Sequence, residues 1–281
     1  MWWPSTCISL LLYAAEPPAF LADGEFLAAA SAAAEAWDSR RLACTSLKID
    51  IVPRQEPNAD TGNDGVNRIT FRRTTWCPEP RDPTTMCYDA AALAVTTVSA
   101  QRRNGLILDT DVELNAVHYR WWDVGGGGPR NGVHDLQNTL THEFGHVLGF
   151  DHTCYKPEND QPRPSDHNGT SVVDCASASA DLRATTLYPE VRIGDTERRT
   201  LADDDQLAAC DTYPRMPSGT CGPTVAPEGG CECAQVGHAR SSRIPWPAWL
   251  AGASLLPLLL GRRTRGTQSA FRSRRRTTSI T

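Results

Sequence analysis

The sequence predicts an α+β domain, and three observations predict it. Residues 46–52 alternate as a strand, 66–72 read as another, and 93–100 and 106–115 are strand-like. Glu25–Trp37 is rich in Ala, with Phe26, Ala30, Ala33, Ala34 and Trp37 near helical spacing. Asp135 and Asp203 each stand before a further helical pattern, where a carboxylate can accept first-turn N–H groups. Strands and helices mix without regular alternation, and no internal repeat is apparent.

Taken in order, the apolar run 8–15 is a first strand. It has no cation before it, the first basic residue being Arg40, and Glu16-Pro17-Pro18 follow, so it lacks the charge pattern of a secretory signal. The helix at Glu25–Trp37 comes next, then the strand 46–52. Residues 53–65 are a loop rich in Asn, Asp and Gly, followed by the strand 66–72. Residues 76–87 hold three prolines and two cysteines and read as a surface excursion. The strands 93–100 and 106–115 share a turn at 102–105. Gly125–128 is a glycine loop without the GK[ST] that phosphate cradling needs. A helix from the Asp135 cap to about Leu148, a polar loop 153–179 and a last helix 203–213 complete the body.

Composition excludes several classes. The chain has 281 residues, 40% hydrophobic and 22% charged, which suits one globular core and excludes a disordered or polytopic membrane chain. The net charge of −5 divides into −12 over residues 1–260 and +7 over 261–281, where seven Arg and no acid occur. Ten cysteines are scattered without paired CxxC spacing, which favours disulfides in an oxidising compartment over a four-cysteine zinc site. Proximity in sequence suggests Cys7–Cys44, Cys77–Cys87, Cys154–Cys175 and Cys210–Cys221, among 105 pairings open to eight body cysteines.

The end of the chain has its own organisation. Residues 216–243 form a Gly/Pro/Cys-rich linker, and 244–260 run seventeen residues without a charge. Arg262 and Arg263 follow, so 244–260 is expected as a short membrane or sorting segment with 261–281 as a cytoplasmic tail. An Arg-rich end directly after an apolar stretch is read as a topology signal, not a nucleic-acid site. The whole tail resembles the sorting tails of myxobacterial-type surface proteins, which implies processing or lipidation at Cys231 or Cys233.

The chemistry lies in THEFGHVLGFDHT, residues 141–153. His142 and His146 stand i and i+4, about 40° apart on one helical face, so both imidazoles can reach one ion. Glu143 is turned aside from the ligand positions but within reach of a bound water. Gly149 supplies the left-handed residue that ends a helix and reverses the chain, and His152 then arrives as a third ligand. Three neutral His with an open fourth position form a catalytic zinc arrangement, not a structural one. HExxH alone arises by chance in on the order of one in a hundred such chains, and Gly149 with His152 lowers that by roughly several hundred-fold.

This extended motif resembles the metzincin metalloproteases. Thr153 after the third His brings it nearest to the matrixins, whose form is HExGHxLGxDH. Blocks such as DGVNRITF, GLILDTDVELN and RTLADDDQLAACDTYP extend the resemblance over residues 1–215. It implies a metzincin-like catalytic domain, a twisted mixed sheet with an active-site helix and a C-terminal helix. It implies zinc on His142, His146 and His152, Glu143 as the catalytic base, and Tyr188 and Pro189 as a substrate-binding wall. The family carries a Met-turn beneath the zinc, and Leu187 of TTLYP stands where the Met would be. Leu and Met are close in volume, so an active enzyme is expected.

The expected function is a zinc-dependent endopeptidase acting on extended peptides of extracellular proteins. It would be a monomer, exported or held at the cell surface, with no nucleic-acid partner. The alternative is a catalytically degenerate metzincin serving as a surface binding protein, with Leu187 as its only support. Asp109, Asp111 and Glu113 fall on one strand face, and Asn58, Asp60, Asn63 and Asp64 crowd one loop. Each place fits either a solvated acidic surface or calcium. His118, His134, His167 and His238 are expected as surface or structural residues.

Overall fold

β1 (Cys7–Tyr13) lies between β2 (Lys48–Arg54) and β3 (Arg68–Arg72) and is parallel to both. β3 is parallel to β5 (Ile107–Asn115), which turns back from β4 (Ala94–Gln101) as an antiparallel pair. A strand near the chain's end, β8 (Ser273–Ile280), lies antiparallel to β4, giving the order β2-β1-β3-β5-β4-β8. The sheet is thus mixed, as the sequence predicts. β6 (Trp121–Trp122) and β7 (His134–Asp135) form a separate parallel pair. The computed structural model describes residues 1–14, 18, 21–22, 24–56, 60–78, 86–122, 132–157, 163–166, 169–223 and the backbone of 273–280. These all fall in one compact unit.

Alternation sets the faces. Ile8, Leu10 and Leu12 of β1 are buried while Cys7 and Ser9 are exposed, the pattern of a strand with one face on a core. β3 is buried along its whole length, because both faces of the central sheet are covered. α1 (Glu25–Trp37) turns Phe26, Ala29, Ala30, Ala33, Ala34 and Trp37 inward. Four alanines on that face keep it thin, so α1 packs closely on α2 (Leu136–Val147) as well as on β2. Trp37 donates its indole N–H to the Thr141 carbonyl across that contact at 2.7 Å.

α2 is covered from its far end too. Trp3 donates Nε1–H to the Val147 carbonyl at 2.7 Å. Tyr213, just after α4 (Asp203–Thr212), donates its hydroxyl to the Leu148 carbonyl at 2.7 Å. The last carbonyls of α2, which have no partner within a helix, are thereby satisfied by two aromatic side chains from distant parts of the chain.

Several expectations are corrected. Cys77–Cys87 and Cys154–Cys175 pair as neighbours in sequence, but Cys7 pairs with Cys221 and Cys44 with Cys210, at Cα separations of 5.1 and 5.4 Å. The reason is topological. Thr6 binds Gly222 beside β1, and Thr45 binds the Tyr213 carbonyl, so the chain after α4 returns along the N-terminal half. Asp203 is the first residue of α4, not its cap. Ala202 holds the cap position without a side-chain bond, while Asp203, Asp204 and Asp205 favour the positive end of the helix dipole. The loop 153–179 contains a 3-10 turn at Cys175–Ser177 and is followed by the one-turn α3 (Ala180–Arg183).

The acidic face of β5 is buried. Glu113 pairs with the Arg72 guanidinium and accepts the Tyr88 hydroxyl at 2.5 Å. Asp111 accepts N–H groups of Gly62 at 2.8 Å and Arg68 at 3.1 Å. Asp109 is 2% exposed, and its Oδ1 has no partner. Burial, then the charge of Asp64, pushes its carboxyl up to about 6. These carboxylates hold the 60–68 segment onto the sheet. Asn58, the glycine loop 125–128, His167, His238 and the apolar stretch 244–260 lie outside the described residues. Among the described residues no helix is long and apolar enough to cross a membrane. Four disulfides fit an extracellular, oxidising location.

Candidate metal centre

α2 begins where the sequence predicts. The Asp135 carboxylate accepts the Asn138 N–H at 2.7 Å, closing the first turn. The helix ends at Leu148, and Gly149 takes φ of 91°. Gly149 N–H then reaches the His146 carbonyl at 2.9 Å, and Phe150 N–H reaches Gly145 at 3.0 Å. This paired closure is the Schellman form, and it swings residues 150–152 back beside the helix. A Cβ on Gly149 would stand 2.5 Å from the Met1 carbonyl oxygen, so both its φ and its surroundings require glycine.

The reversal brings three imidazoles together. His146 Nε2 lies 3.1 Å from Nε2 of His142 and 3.1 Å from Nε2 of His152. His142 Nδ1 faces the Thr186 carbonyl at 2.7 Å, and His146 Nδ1 faces the Phe150 carbonyl at 2.8 Å. A carbonyl oxygen only accepts, so both Nδ1 atoms carry hydrogen and both Nε2 atoms present lone pairs. Converging lone pairs at this distance repel unless a cation sits among them. Tetrahedral nitrogen ligands about 2.0–2.1 Å from a small ion stand roughly 3.3 Å apart, close to the separations found here. The three ring nitrogens are the one group among the described residues able to hold a metal ion. Burial first, and then His146 and His152, hold the His142 pKa well below its ordinary value, which keeps it a neutral ligand.

Glu143 is fully buried beside them. Its Oε2 accepts the hydroxyl of Thr96 on β4, and its Oε1 has no partner. Burial pushes its carboxyl up to about 8, against the Thr96 hydrogen bond. A nearby cation favours the ionised form of such a group.

The 185–189 turn forms the floor. Leu187 is 3% exposed, and its Cδ2 stands 2.5 Å from where a Cβ on Gly145 would be. Thr153 N–H bonds to the Leu187 carbonyl at 3.2 Å, and the hydroxyls of Thr153 and Thr185 lie 2.8 Å apart. Asp205 of α4 accepts the Thr186 N–H at 2.8 Å, fixing the carbonyl that orients His142. Tyr188 is buried against the Cys154–Cys175 disulfide and lines a cavity, and Pro189 is buried next to it in the chain.

His142, Glu143, His146 and His152 are therefore brought together as the spacing predicts, with Leu187 beneath the helix. Sequence reasoning missed Thr96 and Asp205, which act on Glu143 and on the turn that orients His142. Thr96 carries no local signal. His134 is buried in β7 and belongs to the core. No family model matches the chain, and no curated protein sequence matches it.

Proposed function

We propose that this chain is a zinc-dependent endopeptidase of the metzincin type, near the matrixins, acting on extended peptides of extracellular proteins. The observation that carries the reading is the convergence of three Nε2 atoms, with the Nδ1 atoms of His142 and His146 locked to backbone carbonyls, next to a buried Glu143. Imidazole donors suit zinc, and three of them leave a position for substrate or water. The donor set and its spacing fit that ion, which would be held by His142, His146 and His152. When bound there, zinc supplies Lewis acidity toward water and toward a scissile carbonyl.

The chain's own residues do the proton work. Glu143 Oε1, the oxygen with no protein partner, is the acceptor for a proton from the attacking water. Thr96 ties up Oε2 and fixes the plane of the carboxylate. Glu143 then donates that proton to the leaving amine. Thr186 and Phe150 keep the histidine tautomers fixed throughout.

β4 is the strand along which a peptide would lie. It carries Thr96 and packs against α2, and its outer edge pairs antiparallel with β8 from Ala94↔Ile280 to Gln101↔Ser273. An edge that takes eight residues of extended chain suits recognition by strand addition. The binding-protein alternative rests on Leu187, which packs beneath Gly145 and is close to Met in volume. Metal analysis of the purified protein, combined with a casein cleavage assay, tests the proposal. One zinc per chain and chelator-sensitive cleavage are expected. A chain that carries zinc yet cleaves no peptide would favour the binding protein.

A further inference from the structure

Beyond the triad, the segment after Tyr188 folds around a cavity of about 540 Å3 lined by Ala184, Tyr188, Glu190, Arg192, Asp195 and Arg198 among others. That is the size of a side-chain or small-ligand pocket. Its charged groups differ in kind. Arg183, Glu190, Arg192 and Glu197 are exposed, whereas Arg198 is 7% exposed. Two of the acids are already engaged. Glu190 pairs with Lys156 at 3.1 Å, and Asp195 accepts the Arg192 N–H at 2.8 Å.

Arg198 is held from two sides. Its backbone N–H bonds Asn138 Oδ1 at 2.8 Å, and Nη2 donates to the Glu190 carbonyl. Asn138 lies one helical turn before His142, so this anchor fixes Arg198 beside the candidate metal centre. Among the described residues Nη1 has no hydrogen-bond partner, and the carboxylates of Asp195, Asp205 and Glu197 act on the guanidinium through their charge without bonding it. A second donor is orphaned on α2 behind the Arg198 backbone, outside the cavity lining. Because Oδ1 of Asn138 must accept from Arg198, its Nδ2 is the donor end, and it too is buried without a partner. Buried donors without acceptors are costly in a folded protein, and each calls for a reason such as an ordered water, strain or a bound group.

We infer that this cavity is a specificity pocket that selects an acidic side chain of the substrate through Arg198. The inference rests on the endopeptidase reading above and names its substrate class. A guanidinium takes a carboxylate through two parallel N–H bonds, a match that an apolar or amide side chain does not reproduce. Asn138 is a positioning residue, since it holds the Arg198 backbone. Burial weakens hydration of the guanidinium and so raises the gain from pairing it.

The test is cleavage of a random peptide library by the zinc-loaded full chain, with residues counted at each position around the cut. Asp and Glu are expected to be enriched at a single position, roughly tenfold or more over Leu, as a charge-assisted bond predicts. Arg198→Met is expected to abolish that enrichment and leave preferences at the other positions in the same order. Arg198→Lys keeps the charge without the paired geometry and is expected to fall between; it also serves if the Met variant does not fold. Cleavage without an acidic preference, or a preference that survives Arg198→Met, overturns the pocket assignment while the endopeptidase reading stands. A library left uncut by zinc-loaded protein overturns both.

Discussion

Leu187 lies directly under Gly145, its Cδ2 atom 2.5 Å from the point where a β-carbon on that glycine would project. The contact explains a residue inside the histidine motif that no metal chemistry requires. Trp37 Cζ2 stands 3.0 Å from the same point, so the site is closed on two sides. Gly145→Ala is expected to destabilise the fold by about 1–3 kcal/mol, the usual cost of overpacking a core. Leu187→Ala in the same chain should relieve part of that cost. Urea denaturation of the two single variants and the double variant checks it, since non-additivity is the signature of a shared contact. Leu187→Met is a volume-conserving exchange and should cost less than about 1.5 kcal/mol.

Thr96 gives the second prediction. Its hydroxyl is the one donor on the Glu143 carboxylate, reached across 47 residues of sequence. Thr96→Val keeps the shape and removes the donor. The expected result is a fall in kcat of roughly tenfold with KM little changed, the scale of one buried hydrogen bond to a charged group. Thr96→Ser should restore most of the loss. Steady-state kinetics on a fluorogenic peptide separates the two parameters.

The disulfides make a third. Cys7–Cys221 closes 214 residues and Cys77–Cys87 closes 10. Because Cys44–Cys210 already shortcuts most of that span, the first bond adds a loop of only about 50 residues, and on the chain-entropy account losing it costs about 4 kcal/mol against about 3 kcal/mol for the second. Thermal denaturation of the two double-serine variants should rank them in that order. Peptide mapping without reduction should recover Cys7 linked to Cys221 and Cys44 linked to Cys210.

Asp109 contributes the lowest-pH part of a stability decline to which Asp111, raised to about 8, also contributes. The Asp109 carboxyl is raised from 3.8 to about 6, chiefly by burial. A carboxyl whose pKa is higher folded than unfolded binds more protons in the folded state. Its contribution is therefore fully present below pH about 4 and is lost as pH rises through about 6. Stability should decline over that interval, and Asp109→Asn should flatten the decline. Denaturant midpoints measured at intervals from pH 4 to pH 7 test the sign.

The edge of β4 supplies the last variant. β8 occupies the strand along which a peptide substrate would lie. A chain lacking residues 272–281 is expected to cleave peptides with a higher kcat/KM, and a synthetic peptide of residues 273–280 should inhibit it competitively. Equal rates for the two chains, with no inhibition, would mean that substrate takes another route.

The parts legible in the sequence are those set by local spacing. The α2 cap at Asp135, the i, i+4 histidines and the Gly149 reversal all act within fifteen residues, so each is readable from local sequence. The strands β1 to β5 are marked by local pattern: alternation in β2, an apolar run in β1 and short strand-like runs in β3, β4 and β5. What was illegible depends on chain return. Cys221 lies beside Cys7 because the segment after α4 comes back along β1, and no pattern near Cys221 encodes that. Thr96, Asp205 and Arg198 act on α2 or its neighbouring turn from distant segments, so their roles arise only in three dimensions. β8 is hidden for another reason: an Arg-rich run has no alternation to mark it as a strand.

The central claim is that Glu143 moves protons for peptide hydrolysis at an ion held by His142, His146 and His152. Its most direct test compares wild-type protein and Glu143→Ala at equal, measured zinc content on one casein substrate. The account predicts one zinc per chain in both and at least a hundredfold lower cleavage in the variant, the usual scale of general acid–base catalysis. Cleavage by Glu143→Ala at the wild-type rate would contradict it.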